Sequence, residues 1–534
     1  MQKLELIWIG KDDAQEPLEP RILIENPQYS YGTVEETTLP SGNPWHGNML
    51  IHGDNLLALK SLVSMYAGEV KCIYIDPPYN TGNAFDLYDD MVEHSIWLSL
   101  MYQRFQHLHT LLRKDGFLFV NLDEQEHAYA KVILDGIFGR NNFIGDIIWQ
   151  KRKGGGNDSR FLALDHDYIL VYAKDSSKSV HTSKWTISQT EEYLKRYKEI
   201  DENGNRYYWD TVARNGLQSP IPVSVECPDG TTLSINSQMG QETINEGLKN
   251  GDVRLTKSKN GWTLHHRVYM SEGQRPRSIF NDSGTNKTAA DEMLYLFGSK
   301  KSFPYPKPEL LIQKILELGS NPGDLVLDSF LGSGTTAAVA HKMGRKYIGI
   351  ELGNHAYTHC YPRLKKVTDG EDQGGITTAQ NWRGGGGFKF YELAPSLLKE
   401  DEFGQMIINP EYNADQLAAA MAMQEGYTYQ PDKDTYWKQG YGSEHDFIFT
   451  TTQFLTAETI DRIHETMGED ESLLICCTAY QKEAKTRHGN ITVKKIPKTL
   501  LGRCAFDKDN YNLNIVAAPE MDDIEDEPED ETTF

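Results

Sequence analysis

The sequence predicts an α/β fold built on a mostly parallel sheet, with a region of different character inserted between the two halves of that sheet. Three observations carry this. Short apolar runs alternate with helix-periodic segments over 48–150, and strand–helix alternation implies parallel strands whose faces are covered by helices. The same alternation resumes after Pro304 and runs to Leu364. Between them, 151–300 is rich in Tyr, Asn, Ser and Gly, with weak periodicity.

Element by element, NMLIHGD reads as a strand running into a turn, and NLLALKSLVSMY has apolar residues at helical spacing. KCIYID is a buried strand halted by two prolines. SIWLSLMYQRFQHLHTLLRKDG is a helix expected to close at Gly116, FLFVNLD a further strand, and Ile144–Trp149 another. The expected organisation is an N-terminal extension (1–47), a first half-sheet (48–150), an insertion (151–300), a second half-sheet (301–366) and a linker (367–387). A small α/β domain (388–516) and an acidic tail (517–534) follow. In the small domain DFIFTT, SLLICCTAY and NITVKKIP are the strand candidates. The tail holds nine acidic residues between Glu520 and Glu531 and no basic one, a pattern that does not pack.

The chain has 534 residues and a net charge of −23. An acidic balance argues against a nucleic-acid partner, but 251–310 holds ten Lys/Arg against six Asp/Glu. A chain that engages such a partner through one cleft can be acidic elsewhere. The six cysteines form no C-x-x-C pair and no zinc spacing, so free thiols and no metal site are expected. The N-terminal apolar run is too short for a secretory signal, and no run approaches the roughly 18 residues of a membrane span. A cytoplasmic protein without a membrane partner is expected.

Two motifs carry chemistry. Asp76-Pro77-Pro78-Tyr79 follows the strand KCIYI. The Asp76 carboxylate and the Pro77 carbonyl can accept the two N–H groups of an exocyclic amine. Proline fixes φ and holds that carbonyl rigidly, and Tyr79 offers a flat face to a base outside its helix. The second motif, Asp328-Ser-Phe330-Leu-Gly332-Ser-Gly334-Thr335-Thr336, links the strand DLVL to a helix ended by Gly344, and the next strand ends in Glu351. Glycines admit a cofactor close to the backbone, and the acid can accept from ribose hydroxyls. The loop lacks the third glycine of a dinucleotide fingerprint and the Gly-Lys of a phosphate loop. Asp54, in Gly53-Asp54-Asn55, is either a helix N-cap or a further acid on the rim where Asp76, Asp328 and Glu351 end parallel strands.

Together these motifs resemble the DNA amino-methyltransferases. Asp-Pro-Pro-Tyr looks like the adenine-N6 form, whereas cytosine-N4 enzymes more often carry Ser-Pro-Pro-Tyr. The catalytic motif precedes the cofactor motif, which resembles the circularly permuted β-ordered group, in which the insertion recognises the target. HGDNLLALKSL, IDPPYNTGN, HDYILVYAK, YYWDTVARNG with CPDG, FPYPKPELL and GGGGFKFYEL are similar to the methylation (Mod) subunit of Type III restriction-modification systems. The resemblance implies a Rossmann-like sheet that uses S-adenosylmethionine and acts on double-stranded DNA. A homodimer and a restriction (helicase-nuclease) subunit are the partners implied.

By position, Asp328, Phe330, Gly332, Gly334 and Thr335 would line the methionine end of the cofactor, Glu351 the ribose and Asp54 the adenine amine. Lys307 and Pro308 lie in the stretch of the remaining cofactor contacts. Trp149 either flanks a flipped base or is a core aromatic. Lys151, Arg152, Arg214, Arg267, Arg275 and Arg277 are candidate DNA contacts. Protein-glutamine methyltransferases, with Asn-Pro-Pro-Tyr, and RNA methyltransferases are rivals on motif type but place the cofactor motif first. A stand-alone or phage-defence methyltransferase, or a DNA reader without catalysis, are the other readings.

Overall fold

The computed structural model describes residues 5–11, 17–79, 90–154, 161–182, 185–186, 191–213, 219–259, 261–270, 275–504 and 506–507. The chain forms two compact units, one of residues 1–184 with 277–534 and one of residues 185–276.

The first unit is organised by an eleven-stranded sheet. Its strands are β1 (Leu23–Glu25), β2 (Tyr31–Gly32), β3 (Asn48–His52), β4 (Val70–Ile75), β5 (Leu112–Leu122), β6 (Phe143–Gln150), β7 (His166–Ala173), β8 (Ile279–Phe280), β9 (Leu325–Asp328), β10 (Lys346–Glu351) and β11 (Gly387–Leu393). Their order is β1-β11-β3-β10-β9-β4-β5-β7-β6-β8, with β2 beside β11. The six strands from β11 to β5 are mutually parallel. β7 then runs antiparallel to both β5 and β6.

Strands β10 and β9, from late in the chain, sit between β3 and β4, from early in it. Their carboxyl ends therefore lie side by side: Glu351 pairs with His52, Asp328 with Gly349, and Leu327 with Ile73. Asp54, Glu351, Asp328 and Asp76 end up along one rim, where open α/β sheets bind ligands. The central strands are apolar because both faces are covered. Every residue of β4 and of β9 is buried.

Helix α1 (Asn55–Tyr66) begins at its Asp54 cap and buries Leu56, Leu57, Leu59 and Leu62. Each such side chain contributes roughly 1.5–3 kcal/mol, so Leu59→Asp would unseat it. The other helices that shape the rim are α2 (Asp90–Leu111), α3 (Glu309–Gly319), α4 (Thr335–Lys342) and α5 (Tyr361–Asp369).

Several expected boundaries move. Gly116 does not close α2: the helix ends at Leu111, and Gly116 lies within β5, packed so closely on Lys71 that a Cβ would meet its carbonyl at 2.9 Å. The compact insertion is 185–276 rather than 151–300, because β7 and β8 hydrogen-bond into the main sheet. The extension 1–47 contributes β1 and β2 to that sheet. The segment 367–387 is folded rather than a linker. It includes the last turn of α5, and Asp372, Ile376 and Thr377 are buried. Residues 388–393 belong to β11, parallel to β3, so they are part of the main sheet and not of the C-terminal segment.

Beyond it, Thr428–Tyr429, Gly440–Ser443, Asp446–Thr451, Ser472–Cys477 and Ile491–Lys495 form a five-stranded sheet with helices Ala414–Glu425 and Ala457–Glu465. Its core includes Ile22 and Ala394. The acidic tail lies outside the described residues.

The second unit is β-rich. Glu199–Ile200, Arg206–Thr211, Gly261–Tyr269 and Val253–Ser258 form an antiparallel sheet in that order, joined by a hairpin of Ile221–Glu226 with Thr232–Ser237 and a helix, Gln241–Asn250. Its core gathers Val212, Val223, Val225, Ile244, Val253 and Leu264. Among the described residues no helix is long and apolar enough to cross a membrane.

Candidate active site

Asp76 follows the last residue of β4, and its carboxylate is held from both sides. Oδ1 accepts from the Tyr79 hydroxyl at 2.8 Å and from Asn121 Nδ2 at 3.1 Å, while Oδ2 accepts from Lys307 Nζ at 2.5 Å. Asn121 comes from β5, the parallel neighbour of β4. The Tyr79 hydroxyl also donates toward Asp167 Oδ2 at 3.3 Å, and Asp167 Oδ1 accepts from Lys151 Nζ at 2.7 Å. Two carboxylates and two lysines thus surround one phenol. Burial, then the charges of Asp76 and Asp167, push the Tyr79 phenol far above its ordinary range and keep it a donor. The Pro78 carbonyl is occupied by Trp97 Nε1 at 2.9 Å.

The glycine loop forms the other half of the rim. Gly332 and Gly334 have φ of 57° and 81°, a region that disfavours a side chain. A Cβ on Gly332 would lie 3.2 Å from the Phe303 ring, and one on Gly334 3.2 Å from Cys360 Cα. Glu351 braces the loop: Oε2 accepts from Gly332 N at 2.7 Å and Oε1 from Gly353 N at 3.0 Å. Burial raises its pKa. Burial also drives Asp328 up to about 7, against hydrogen bonds from Thr336 and from the Phe330 amide, with Asp76 and Glu351 adding repulsion. Among the described residues the Ser329 hydroxyl is buried there without a hydrogen-bond partner.

Several expected residues take other parts. Asp54 is an N-cap: its Oδ1 accepts from Leu56 N and Leu57 N, and its Oδ2 pairs with Arg104 at 3.2 Å. Asp328 spends both oxygens on its own loop, at 2.9 Å from Phe330 N and 2.6 Å from Thr336 Oγ1. The Thr335 hydroxyl is buried against Arg363 at 2.8 Å. Pro308 caps α3, and Lys307 stands on Asp76 instead of in the glycine loop.

Trp149 is fully buried, its indole N–H donating to the Gly284 carbonyl at 2.9 Å, so it is a core aromatic. Its ring lies beneath the Lys307 ammonium, 5.9 Å away. Lys151 is engaged by Asp167. Arg152, Arg275 and Arg277 are exposed. Arg267 stacks on Tyr207 and Trp209 within the second unit, and Arg214 lies outside the described residues.

The motifs assign no role to Asn55, Arg104, Asn121 or Asp167. Arg104 is fully buried between Asp54 and Asn55 Oδ1, and Asn55 donates to the Ser329 carbonyl at 2.6 Å. The one available signal was positional: Asn121 and Asp167 occupy the ends of apolar strands, as Asp76 does.

This rim, a loop glycine pair beside an Asp-Pro-Pro-Tyr turn on one permuted sheet, defines a DNA amino-methylase architecture. The DNA methylase family profile matches residues 70–361, and the chain belongs to that family. Mod subunits are among its relatives. The chain is 33% identical over 412 residues to a "Probable type III restriction-modification enzyme HindVI Mod subunit" of Haemophilus influenzae, covering 65% of this chain and 54% of the relative. It is 31% identical over 370 residues to the StyLTI Mod subunit of Salmonella typhimurium, covering 62% and 55%. Against the EcoP15I Mod subunit of Escherichia coli it is 25% identical over 504 residues, covering 77% and 76%. The chain thus spans about half the length of the first two.

Proposed function

We propose that the chain is a site-specific DNA methyltransferase that moves a methyl group from S-adenosylmethionine to N6 of an adenine flipped from duplex DNA, as the modification subunit of a Type III-like restriction-modification system. The observation that carries this is the Asp76 carboxylate, presented at the rim by a rigid Pro-Pro turn and held by Tyr79, Asn121 and Lys307.

S-adenosylmethionine would supply an electrophilic methyl beside the amine. The residues present fit it: beside the tight Gly332–Gly334 turn, Glu351 and the Ser329 hydroxyl, which has no hydrogen-bond partner among the described residues, offer polar partners. The protein's own work is alignment. Asp76 accepts one N–H of the amine and draws lone-pair density onto the nitrogen. The Pro77 carbonyl is the acceptor for the other N–H, and the Tyr79 ring stacks on the base. Preorganised acceptors of this kind supply most of the acceleration in such transfers.

The insertion is assigned to target recognition, with Arg152, Arg275 and Arg277 as phosphate contacts. A homodimer, and a restriction subunit bound to it, complete the proposed assembly. Methyl transfer to duplex DNA, with single-stranded RNA as control, together with long-read sequencing of genomic DNA with and without the gene, tests the reading. Adenine methylation at one sequence supports it, and methylcytosine or no mark overturns it.

A further inference from the structure

We propose that Asp167 is a positioning residue for the transfer step: it is the carboxylate that receives the Tyr79 hydroxyl when the target amine claims Asp76. This rests on the methyl-transfer reading above.

The topology explains how a residue from the start of a strand reaches a rim built from strand ends. β7 is antiparallel to β5, so its second residue, Asp167, lies at the same edge as the last residues of β5, where Asn121 stands opposite Ile169. Asp167 is 2% exposed, and Lys151 occupies its Oδ1. Its Oδ2 faces Tyr79 Oη at 3.3 Å and Asn121 Nδ2 at 3.5 Å.

A phenol has one proton to donate. Here it has two carboxylates within reach, Asp76 Oδ1 at 2.8 Å and Asp167 Oδ2 at 3.3 Å. The nearer acceptor is Asp76, whose Oδ1 also receives Asn121 and whose Oδ2 receives Lys307. Among the described residues, the donors around Asp76 therefore occupy the carboxylate on which the amine must land. Rotation of the Tyr79 O–H about its C–O bond moves the proton toward Asp167. It frees capacity on Asp76 Oδ1, leaves no buried hydroxyl unsatisfied and keeps the ring in place. Without Asp167 the amine would have to compete with a hydroxyl whose one acceptor among the described residues is Asp76 itself. No covalent bond is made or broken in this exchange.

The test uses the full chain and a duplex that the wild-type enzyme methylates. Asp167→Leu, a larger apolar side chain that removes the acceptor, is expected to lower kcat by about 10²-fold while calorimetry shows unchanged S-adenosylmethionine affinity. Asp167→Asn, which retains an acceptor oxygen, is expected to restore most of the rate. On a Tyr79→Phe background, where there is no hydroxyl to receive, Asp167→Leu is expected to change kcat little, since the two changes remove one interaction. Wild-type kcat in Asp167→Leu overturns the inference. So does an equal loss with and without the Tyr79 hydroxyl, which would assign Asp167 to holding Lys151 alone. If the leucine variant loses cofactor binding, Asp167→Ala takes its place in the same cycle, and the same two outcomes overturn the inference. A wild-type chain that methylates no adenine would instead count against the enzyme reading itself.

Discussion

Lys307 and Asp76 are separated by 231 residues of sequence, yet their side chains form an ion pair at 2.5 Å with little exposure of the lysine. The two halves of the permuted sheet meet at that contact. Lys307 precedes α3 and Asp76 follows β4, so the pair forms only when both halves have folded together. Removing one member strands a charge that water reaches poorly. Lys307→Met and Asp76→Asn are each expected to destabilise the fold by roughly 2–4 kcal/mol. The double variant is expected to cost clearly less than their sum. Denaturant unfolding of the four proteins checks this, and strict additivity would mean that the pair is not coupled.

Asp76→Ala is expected to abolish methyl transfer, by several orders of magnitude, and to leave S-adenosylmethionine affinity largely intact. Among the described residues the carboxylate hydrogen-bonds Tyr79, Asn121 and Lys307 and no residue of the glycine loop. Rapid-quench transfer assays and calorimetry separate the two quantities. Near-normal turnover would remove Asp76 from the reaction.

The sequence alone expects Tyr79 to need its ring more than its hydroxyl. The structure changes that expectation, because the hydroxyl is bonded to Asp76, Asn121 and Asp167 at once. Tyr79→Phe should leave buried partners unsatisfied, at about 1–3 kcal/mol, and slow transfer by roughly tenfold or more. Tyr79→Ala should add the loss of base stacking, about 1–3 kcal/mol further. Binding of a duplex with a fluorescent base at the target position reports stacking separately from rate. A Phe variant with full activity would mean that the hydroxyl network is idle in turnover.

Glu292 and Glu309 give the fold a pH dependence of definite sign. Glu309 is buried against Lys342 at 2.8 Å and Arg363 at 2.9 Å, and the two cations hold its carboxyl below its ordinary value despite burial. Glu292 accepts from the Glu309 amide but is raised to about 8, first by burial and then by the Glu309 charge. Glu292 is thus protonated in the folded protein where the unfolded chain would ionise it. The stability it confers is complete below the ordinary carboxylate pKa and is lost as pH rises through about 8. Glu292→Gln should flatten the fall of Tm between about pH 5 and 8. An unchanged slope would assign that fall to other groups.

The strands and helices around the rim were legible because each is locally consistent. Val70–Ile75 is a run of apolar β-formers ended by Pro77, and Asn55–Tyr66 has a helical stripe behind an Asp cap. What escaped was non-local. HDYILVYAK reads as a strand, but nothing in it tells that it pairs antiparallel with β5 and delivers Asp167 to the rim. Arg104, Lys342 and Arg363 look like solvated helix faces in sequence. They are buried because Asp54, Glu309 and Asp372 meet them from distant segments. The resemblance places Lys307 in a stretch of cofactor contacts, whereas its side chain reaches Asp76.

The last prediction concerns the unit 185–276. Strand pairing sorts its aromatic and basic residues by face. Tyr207 lies opposite Tyr269, Trp209 opposite Arg267, Thr211 opposite His265, and His265 opposite Arg254. Because side chains alternate along a strand, these residues share one face, while Val253 and Leu264 turn to the core around Ile244. On the shared face Arg254 lies 4.0 Å from the Trp209 ring centroid, and Arg267 lies 4.8 Å from that of Tyr207 and 5.4 Å from that of Trp209. Guanidinium groups stacked on rings are held rigid, with donors at their edges for guanine or phosphate. If the proposed function holds, exchanging 185–276 for a relative's segment should change which sequence is methylated and not whether transfer occurs. Arg254→Ala should then take one of two forms. A phosphate contact would weaken binding to all sequences and lower the salt slope by about one. A base contact would relax the preference at one position, worth about 1–3 kcal/mol. Binding isotherms at several salt concentrations, read beside the methylation pattern, distinguish them. A chimera that keeps the original methylation site would move recognition out of this unit, to the C-terminal segment beyond Leu393.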